Sequence, residues 1–311
     1  MLETTLHAAF SLREKLNLFH HTEALRIFHG PGESKDPNLS QLAIDFFLDQ
    51  VWITQWKRIP GPILNDTVRI LQQHYPERTR GIVLMDRSEV ASEVDAVRLA
   101  GEIRPGRFVV REEGIPYLVQ MAETKHPGLF LDHAPLRRWL QRTQKDKKVL
   151  NLFSYTGALS LAAAAGGAAS VTTLDLSKPT IEWAKENWRE AGMKEARGDF
   201  IYGDVFEWLP RLAKKGLRFD TILCDPPSFS RTKQGTFSTS KDLTRLHALI
   251  FPLLNRDGVL VTSINSEKVG ERSFLGEIER AAERSGTTLQ WIGRVELPES
   301  FPTGLDPQAR Y

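Results

Sequence analysis

The rhythm of hydrophobic and polar positions changes near residue 125. Before it the pattern is mixed. Leu6, Phe10, Leu12, Leu16 and Phe19 recur at roughly helical spacing within residues 5–28. Gly30-Pro31-Gly32-Glu33-Ser34 reads as a loop. LAIDFF and VWITQW, in residues 42–57, read as two short strands around a turn near Asp49. Residues 62–75 predict an amphipathic helix with Ile63, Val68 and Leu71 inward, and GIVLMD (81–86) a strand. RFVVRE and YLVQMA, joined by Glu113-Gly114, predict a hairpin.

From residue 148 strands and helices alternate. KVLNLF (148–153), SVTTLDL (170–176), DFIYGD (199–204), FDTILCD (219–225), GVLVTSI (258–264) and TLQWIGRVEL (288–297) are the predicted strands. Helices are predicted over 157–165, 179–191, 243–254 and 274–284. Such alternation means a parallel sheet with helices on both faces, and ligands then bind at the carboxyl ends of the strands. The two rhythms predict a small α+β domain over residues 1–125 and an α/β domain over 126–311.

Composition narrows the picture a little. Of 311 residues, 41% are hydrophobic and 26% charged, as in ordinary globular proteins. A formal charge of +2 makes any nucleic-acid surface a local one. One cysteine, Cys224, excludes an internal disulfide and a cysteine-cluster metal site. The opening MLETTLHAAF has no basic leader before an apolar core, and no run of about 18 apolar residues is present. A cytoplasmic location without membrane contact is the expectation.

Chemistry gathers at the predicted strand ends. Phe153-Ser154-Tyr155-Thr156-Gly157 follows the first strand of the α/β part. Gly157 permits close ligand approach, and the hydroxyls suit the polar end of an amino-acid-like ligand. A dinucleotide site would need G-x-G-x-x-G here, and the loop has one glycine. Asp175 ends the second strand, where an acid can accept ribose hydroxyls or else cap the next helix, a role for which Ser177 is better placed. Asp204 ends the third, where it can accept an adenine amine or cap its own helix. Asp225-Pro226-Pro227-Ser228-Phe229 ends the fourth, as a rigid shelf suited to a flat ring. Three acids at successive strand ends form a lining.

GLFLDH (128–133), LNLFSYTG (150–157), TTLDLS with EWAKEN (172–187), GDVFEWL (203–209) and DPPSFS (225–230) together resemble the class I S-adenosylmethionine-dependent methyltransferases. The nearer resemblance is to ribosomal-RNA methyltransferases related to RlmI and RlmK. It covers residues 110–270 well and the first domain loosely. It implies a Rossmann-like sheet, a smaller N-terminal domain that positions RNA, and S-adenosylmethionine as cofactor. It further implies that Phe153, Ser154, Tyr155, Thr156 and Gly157 hold the methionine part, Asp175 the ribose and Asp204 the adenine. Asp132 and Asp225 would lie beside the same ligand. Family members often carry an arginine just after LDH. Ala134 stands there, with Arg137 and Arg138 following.

Cytosine-C5 methylation needs a cysteine thiolate, which the RlmI-like subgroup carries after strand five. This chain has Thr262-Ser263-Ile264-Asn265-Ser266 there. Cys224 is adjacent to Asp225 on a strand, so the two should face opposite ways. The RlmK-like subgroup, which methylates guanine N7 of 23S rRNA, is the better match. N7 needs no covalent activation, so the enzyme's work is mostly positioning, worth about 7–11 kcal/mol at best. Asp225, Pro226, Pro227 and Phe229 are the expected catalytic shelf. Phe229 either stacks on the base or packs in the loop. Arg231, Lys233, Lys241 and Arg245 flank it as candidate phosphate contacts on an expected mobile loop, a better candidate than the basic run 137–148.

Competing readings are a cytosine-C5 enzyme, a methyltransferase for a small molecule or protein, a nicotinamide oxidoreductase, and an RNA-binding protein that has kept the fold. The three prolines of residues 297–307 disfavour a seventh strand before the chain ends at Tyr311.

Overall fold

The structure is a computed structural model. It describes residues 1–88, 96–232, 235–265 and 269–305, excepting the side chains of 230–232, 235 and 236. The chain forms two compact units. The first is Met1–Pro135 together with the segment that begins at Glu296; the second is Leu136–Val295. The division falls after Pro135, downstream of the change of rhythm at 125, and the segment from Glu296 returns to the first unit.

In the first unit, α1 (Leu2–Lys15) precedes β1 (Ala24–His29). The helical spacing over 5–28 therefore holds only for its first half. From Ala24 on, burial is nearly continuous, as in a strand covered on both faces. A single helical turn, α2 (Gly30–Glu33), replaces the expected loop, because Gly30 and Gly32 lie against carbonyls of Leu39 and Pro302 that any Cβ would strike. Next come β2 (Leu42–Phe47), β3 (Gln50–Gln55), α3 (Gly61–His74), β4 (Gly81–Asp86) and β5 (Val97–Gly101). They form one sheet in the order β1-β2-β3-β4-β5, antiparallel except for β3 and β4. The mostly exposed β5 has no strong pattern and was not foreseen. In α3 the fully inward residues are Leu64, Thr67, Ile70 and Leu71; Ile63 and Val68 are only partly covered. The hairpin β6 (Arg107–Glu112) and β7 (Ile115–Gln120) turns at Glu113-Gly114. Glu113, at φ 48°, and Gly114, at φ 79°, supply the two left-handed residues a tight hairpin turn wants.

From α4 (Ala134–Thr143) the chain enters the second unit. There β8 (Lys148–Leu152), α5 (Ala158–Ala165), β9 (Ser170–Asp175), α6 (Lys178–Glu190), β10 (Gly198–Tyr202), α7 (Val205–Lys214) and β11 (Phe219–Cys224) follow the expected alternation. A small hairpin, β12 (Phe229–Thr232) and β13 (Gly235–Ser238), precedes α8 (Thr239–Ile250), β14 (Leu254–Thr262) and α9 (Glu271–Ser285). The sheet order is β10-β9-β8-β11-β14, all parallel. Order reverses at β8, so the ends of β8, β9 and β11 flank the crevice where such sheets bind ligands.

Two expectations fail in this unit. Residues 288–297 form no strand, despite their apolar run. Trp291 is 63% and Ile292 78% exposed. Consecutive side chains of an extended chain point to opposite sides, so neither face of the segment has been covered. The loop expected after Phe229 is instead the β12–β13 hairpin, paired from Phe229↔Ser238 to Thr232↔Gly235. No helix among the described residues is long and apolar enough to cross a membrane.

Candidate functional site

The parallel register sets Leu152, Asp175, Tyr202 and Cys224 at the same edge of the sheet, so the segments that follow them share one end of the second unit. After β8 the loop alternates in handedness. Phe153 has φ 54°, Tyr155 50° and Gly157 74°. Two non-glycine residues in the left-handed region cost about 1–3 kcal/mol each and persist only where the surroundings over-determine them. Here they do. Ser154 N–H donates to the Leu174 carbonyl at 3.1 Å and Tyr155 N–H to Asp175 Oδ2 at 2.8 Å. Gly157 N–H donates to the Ser154 carbonyl, and buried Asn187 donates to the Thr156 carbonyl at 2.9 Å. A Cβ on Gly157 would stand 2.8 Å from Ala184 Cβ, so glycine is needed for helix approach as well as for φ. Ser160 Oγ accepts from Asn151 and Thr173 beneath the loop, at 2.9 Å each.

The buried hydroxyl of Ser154 has no hydrogen-bond partner among the described residues. An orphaned polar atom in a strained, pinned loop is what a site awaiting a polar ligand group looks like. The loop therefore fits the amino-acid end of S-adenosylmethionine.

Asp175 does more than end a strand. Oδ1 accepts from Ser177 N–H at 2.8 Å and from the Thr180 hydroxyl at 3.1 Å, while Oδ2 accepts from Tyr155 N–H. Its pKa is raised, because burial outweighs the three donors that lower it. A carboxylate has about four acceptor positions, so these bonds leave room for roughly one more donor. Ser177 occupies the N-cap position of α6 without a side-chain cap bond; the Asp175 carboxylate takes its N–H instead.

Asp204 is the N-cap of α7, with Oδ1 accepting from Phe206 N–H at 2.9 Å. That leaves Oδ2 for a ligand. Gly203 lies under the Trp208 indole, where a Cβ would come within 2.1 Å of Nε1. Its N–H donates to the Asp175 carbonyl, which ties the second and third acids together.

At the end of β11, Ser263 donates to Asp225 Oδ1 at 2.5 Å, and Ser263 N–H donates to the Cys224 carbonyl at 3.0 Å. The Ser228 hydroxyl donates to the Asn265 carbonyl. The chain leaving β14 thus clamps the Asp-Pro-Pro-Ser shelf. Pro226 is buried, Pro227 exposed, and Phe229 is 51% exposed. Cys224 is buried in the core cluster that also holds Leu150, Leu152 and Leu246. Burial, then the neighbouring Asp225 charge, pushes its thiol far above the usual range, as expected of a core residue rather than a nucleophile.

Of the remaining candidates, Lys241 and Arg245 are exposed on α8. Arg245 stacks its guanidinium 4.7 Å above the Phe206 ring. Lys233 and the Arg231 side chain lie outside the described residues. Asp132 lies in the first unit, in the turn Leu131–His133. Arg137 is buried and Arg138 only partly so.

Sequence reasoning missed Ser263, Asn187 and Phe237. The first two sit inside segments already singled out, but nothing local says where a serine or asparagine points. Among the described residues, no group of three or more His, Cys, Asp or Glu side chains could hold a metal ion.

The chain is 41% identical over 198 residues to ribosomal RNA large subunit methyltransferase K of Neisseria meningitidis, covering 62% of this chain and 53% of that one. It is 33% identical over 310 residues to YwbD of Bacillus subtilis, a candidate ribosomal RNA large subunit methyltransferase, covering 98% of this chain and 77% of that one. Against the K/L protein of Shewanella pealeana, identity is 36% over 62% of this chain, which spans only 26% of that longer protein. Among solved structures, SMU.776, a candidate methyltransferase crystallised with SAH, superposes with a TM-score of 0.88 at 28% identity, over 97% of this chain and 76% of that one. The family model for S-adenosylmethionine-dependent methyltransferases matches residues 25–311, and the chain belongs to that family.

Proposed function

We propose that the protein methylates guanine N7 of large-subunit ribosomal RNA in the cytoplasm by direct, non-covalent transfer. The names of its relatives support the RNA class. The observation that carries the direct route is the placement of the chain's one thiol, Cys224, in the apolar core behind Asp225. A cytosine-C5 route needs a thiolate on the acceptor side, and this side offers a carboxylate held by Ser263.

S-adenosylmethionine supplies a methyl group on a cationic sulfur, already reactive enough to need no protein nucleophile. The chain's residues then have to bind, orient and keep water out. Ser154 and Thr156 receive the amino-acid end, Asp175 Oδ2 accepts from the ribose, and Asp204 Oδ2 accepts from the adenine amine. Asp225, locked by Ser263, accepts from the guanine N1–H or N2 amine, which turns the in-plane N7 lone pair toward the methyl group. Half-exposed Phe229 covers the base by stacking, worth about 1–3 kcal/mol. Lys241 and Arg245 meet phosphates.

Mapping N7-methylguanine in 23S rRNA from cells with and without the gene tests the reading. Loss of one modified guanine is expected. An unchanged map overturns it.

A further inference from the structure

Phe237 plays no part in the chemistry above, yet it touches two of the segments that line the site. It lies in β13, opposite Ser230, while the next pair along the ladder is Phe229 with Ser238. Successive pairs of a ladder point to opposite faces. Phe237 is 4% exposed and Phe229 51%, so the two rings lie on opposite faces of the hairpin, one packed and one half-exposed.

On the inner face, Phe237 stacks on Phe153, with centroids 6.0 Å apart and planes 28° from parallel. It also meets Phe206, at 5.6 Å. Phe153 opens the left-handed cofactor loop. Phe206 donates its N–H to Asp204, and Arg245 covers its ring at 4.7 Å. At the hairpin's base, the Ser228 carbonyl accepts from Thr239 N–H at 3.2 Å, and Ser228 Oγ donates to the Asn265 carbonyl. Ser238 caps α8, and Asp242 reaches back to accept Ser238 N–H at 2.9 Å. The shelf, the hairpin and the cofactor loop are therefore one unbroken run of contacts within the second unit, and Phe237 is the link between the hairpin and the loop.

We propose that Phe237 is a positioning residue that couples the cofactor loop to the acceptor shelf, so that the cofactor and the acceptor base bind with positive cooperativity. This rests on the reading of the strand-end loop as the cofactor site and of the shelf as the acceptor site. A polar ligand group that satisfies Ser154 stiffens the strained loop. Phe153 then holds Phe237 in one place, and the hairpin presents Phe229 at a fixed height beside Asp225. The coupling is reciprocal: a base held on the shelf tightens cofactor binding by the same factor, about fivefold or more for a typical linkage.

Amide hydrogen exchange tests this without any RNA. In the wild-type protein, S-adenosylhomocysteine should slow exchange in the loop 153–157 and also in β12 and β13. In Phe237→Leu it should slow exchange in the loop alone, and Phe237→Tyr, which keeps the ring, should restore protection of the hairpin. A residue that served only as core filling would lower the melting temperature yet leave the two segments' responses together. Hairpin protection in Phe237→Leu equal to wild type, or none in the wild type, overturns the proposal. A second arm measures affinity for a 23S rRNA fragment with and without S-adenosylhomocysteine. Tightening of about fivefold in the wild type and none in Phe237→Leu is expected. Equal tightening in both overturns the coupling. A wild-type protein that binds no rRNA but passes the exchange test removes the RNA reading and leaves the coupling standing.

Discussion

The two units spend the same residue types in opposite ways. In the first, charges neutralise one another. Buried Arg13 donates to both Glu33 carboxylate oxygens and to the Ser300 carbonyl at 2.7 Å. Arg26 pairs with Asp45 at 2.7 and 2.9 Å, and Arg104 with Asp49 at 2.6 and 2.7 Å. In the second unit the acids at the strand ends accept from backbone N–H groups and from hydroxyls. A carboxylate closed by a guanidinium fork has little left to offer. One held by N–H and hydroxyl donors keeps acceptor capacity. On the proposed reading, the difference separates acids that hold a fold from acids that would receive a ligand, though each has the same side chain.

The sharpest way to break that contrast is Arg13→Ala. It leaves Glu33 uncompensated and frees the Ser300 carbonyl, and should cost about 3–5 kcal/mol of stability. Urea unfolding would show it, while calorimetry should find cofactor affinity unchanged per folded molecule. Asp175→Ala should do the reverse. It removes one charge-assisted bond to the ligand and unpins Tyr155, so affinity for S-adenosylhomocysteine should fall about 10- to 100-fold. Titration calorimetry giving wild-type affinity would place the ligand elsewhere.

Acid should act on the first unit through His29. Burial, then Arg26 and Arg13 nearby, pushes its pKa down to about 3 from the usual 6.5. The unfolded chain therefore binds a proton below pH 6.5 that the folded one refuses until about pH 3. Stability from this group is whole above pH 6.5 and is lost as pH falls, by about 2 kcal/mol at pH 5. Urea midpoints at pH 7 and 5 should show the loss, and His29→Gln should flatten it.

Ser263→Ala should slow methyl transfer about tenfold while leaving cofactor affinity alone, because its bond orients Asp225 without meeting the cofactor. Equal effects on both would mean that Ser263 is only structural. The smallest effect is expected of Cys224→Ala. Single-turnover transfer should be unchanged, whereas a covalent route would stop altogether.

Three acids of the candidate site stand where the sequence pattern puts them. Asp175 ends β9, and Asp204 and Asp225 follow β10 and β11; periodicity alone locates these strands, and a parallel sheet brings such ends together. The alternating handedness of Phe153, Tyr155 and Gly157 could not be read, since only glycine advertises a left-handed backbone. Residues 288–297 show the opposite failure. Their apolar run looks like a strand, but a strand exists only where a neighbour accepts its hydrogen bonds.

The sequence by itself determined the alternation of elements, the acids at the strand ends and the absence of a usable thiol. These rest on spacing between near neighbours, which sets the faces of helices and strands. Tertiary structure decided which distant groups meet: Ser263 on Asp225, Phe237 on Phe153, and Ser300 with Phe301 against Arg13 and Arg26. A hydrophobic pattern says that a face will be buried. Only the closed chain says against what, because a partner 38 or 287 residues away leaves no mark on the local period.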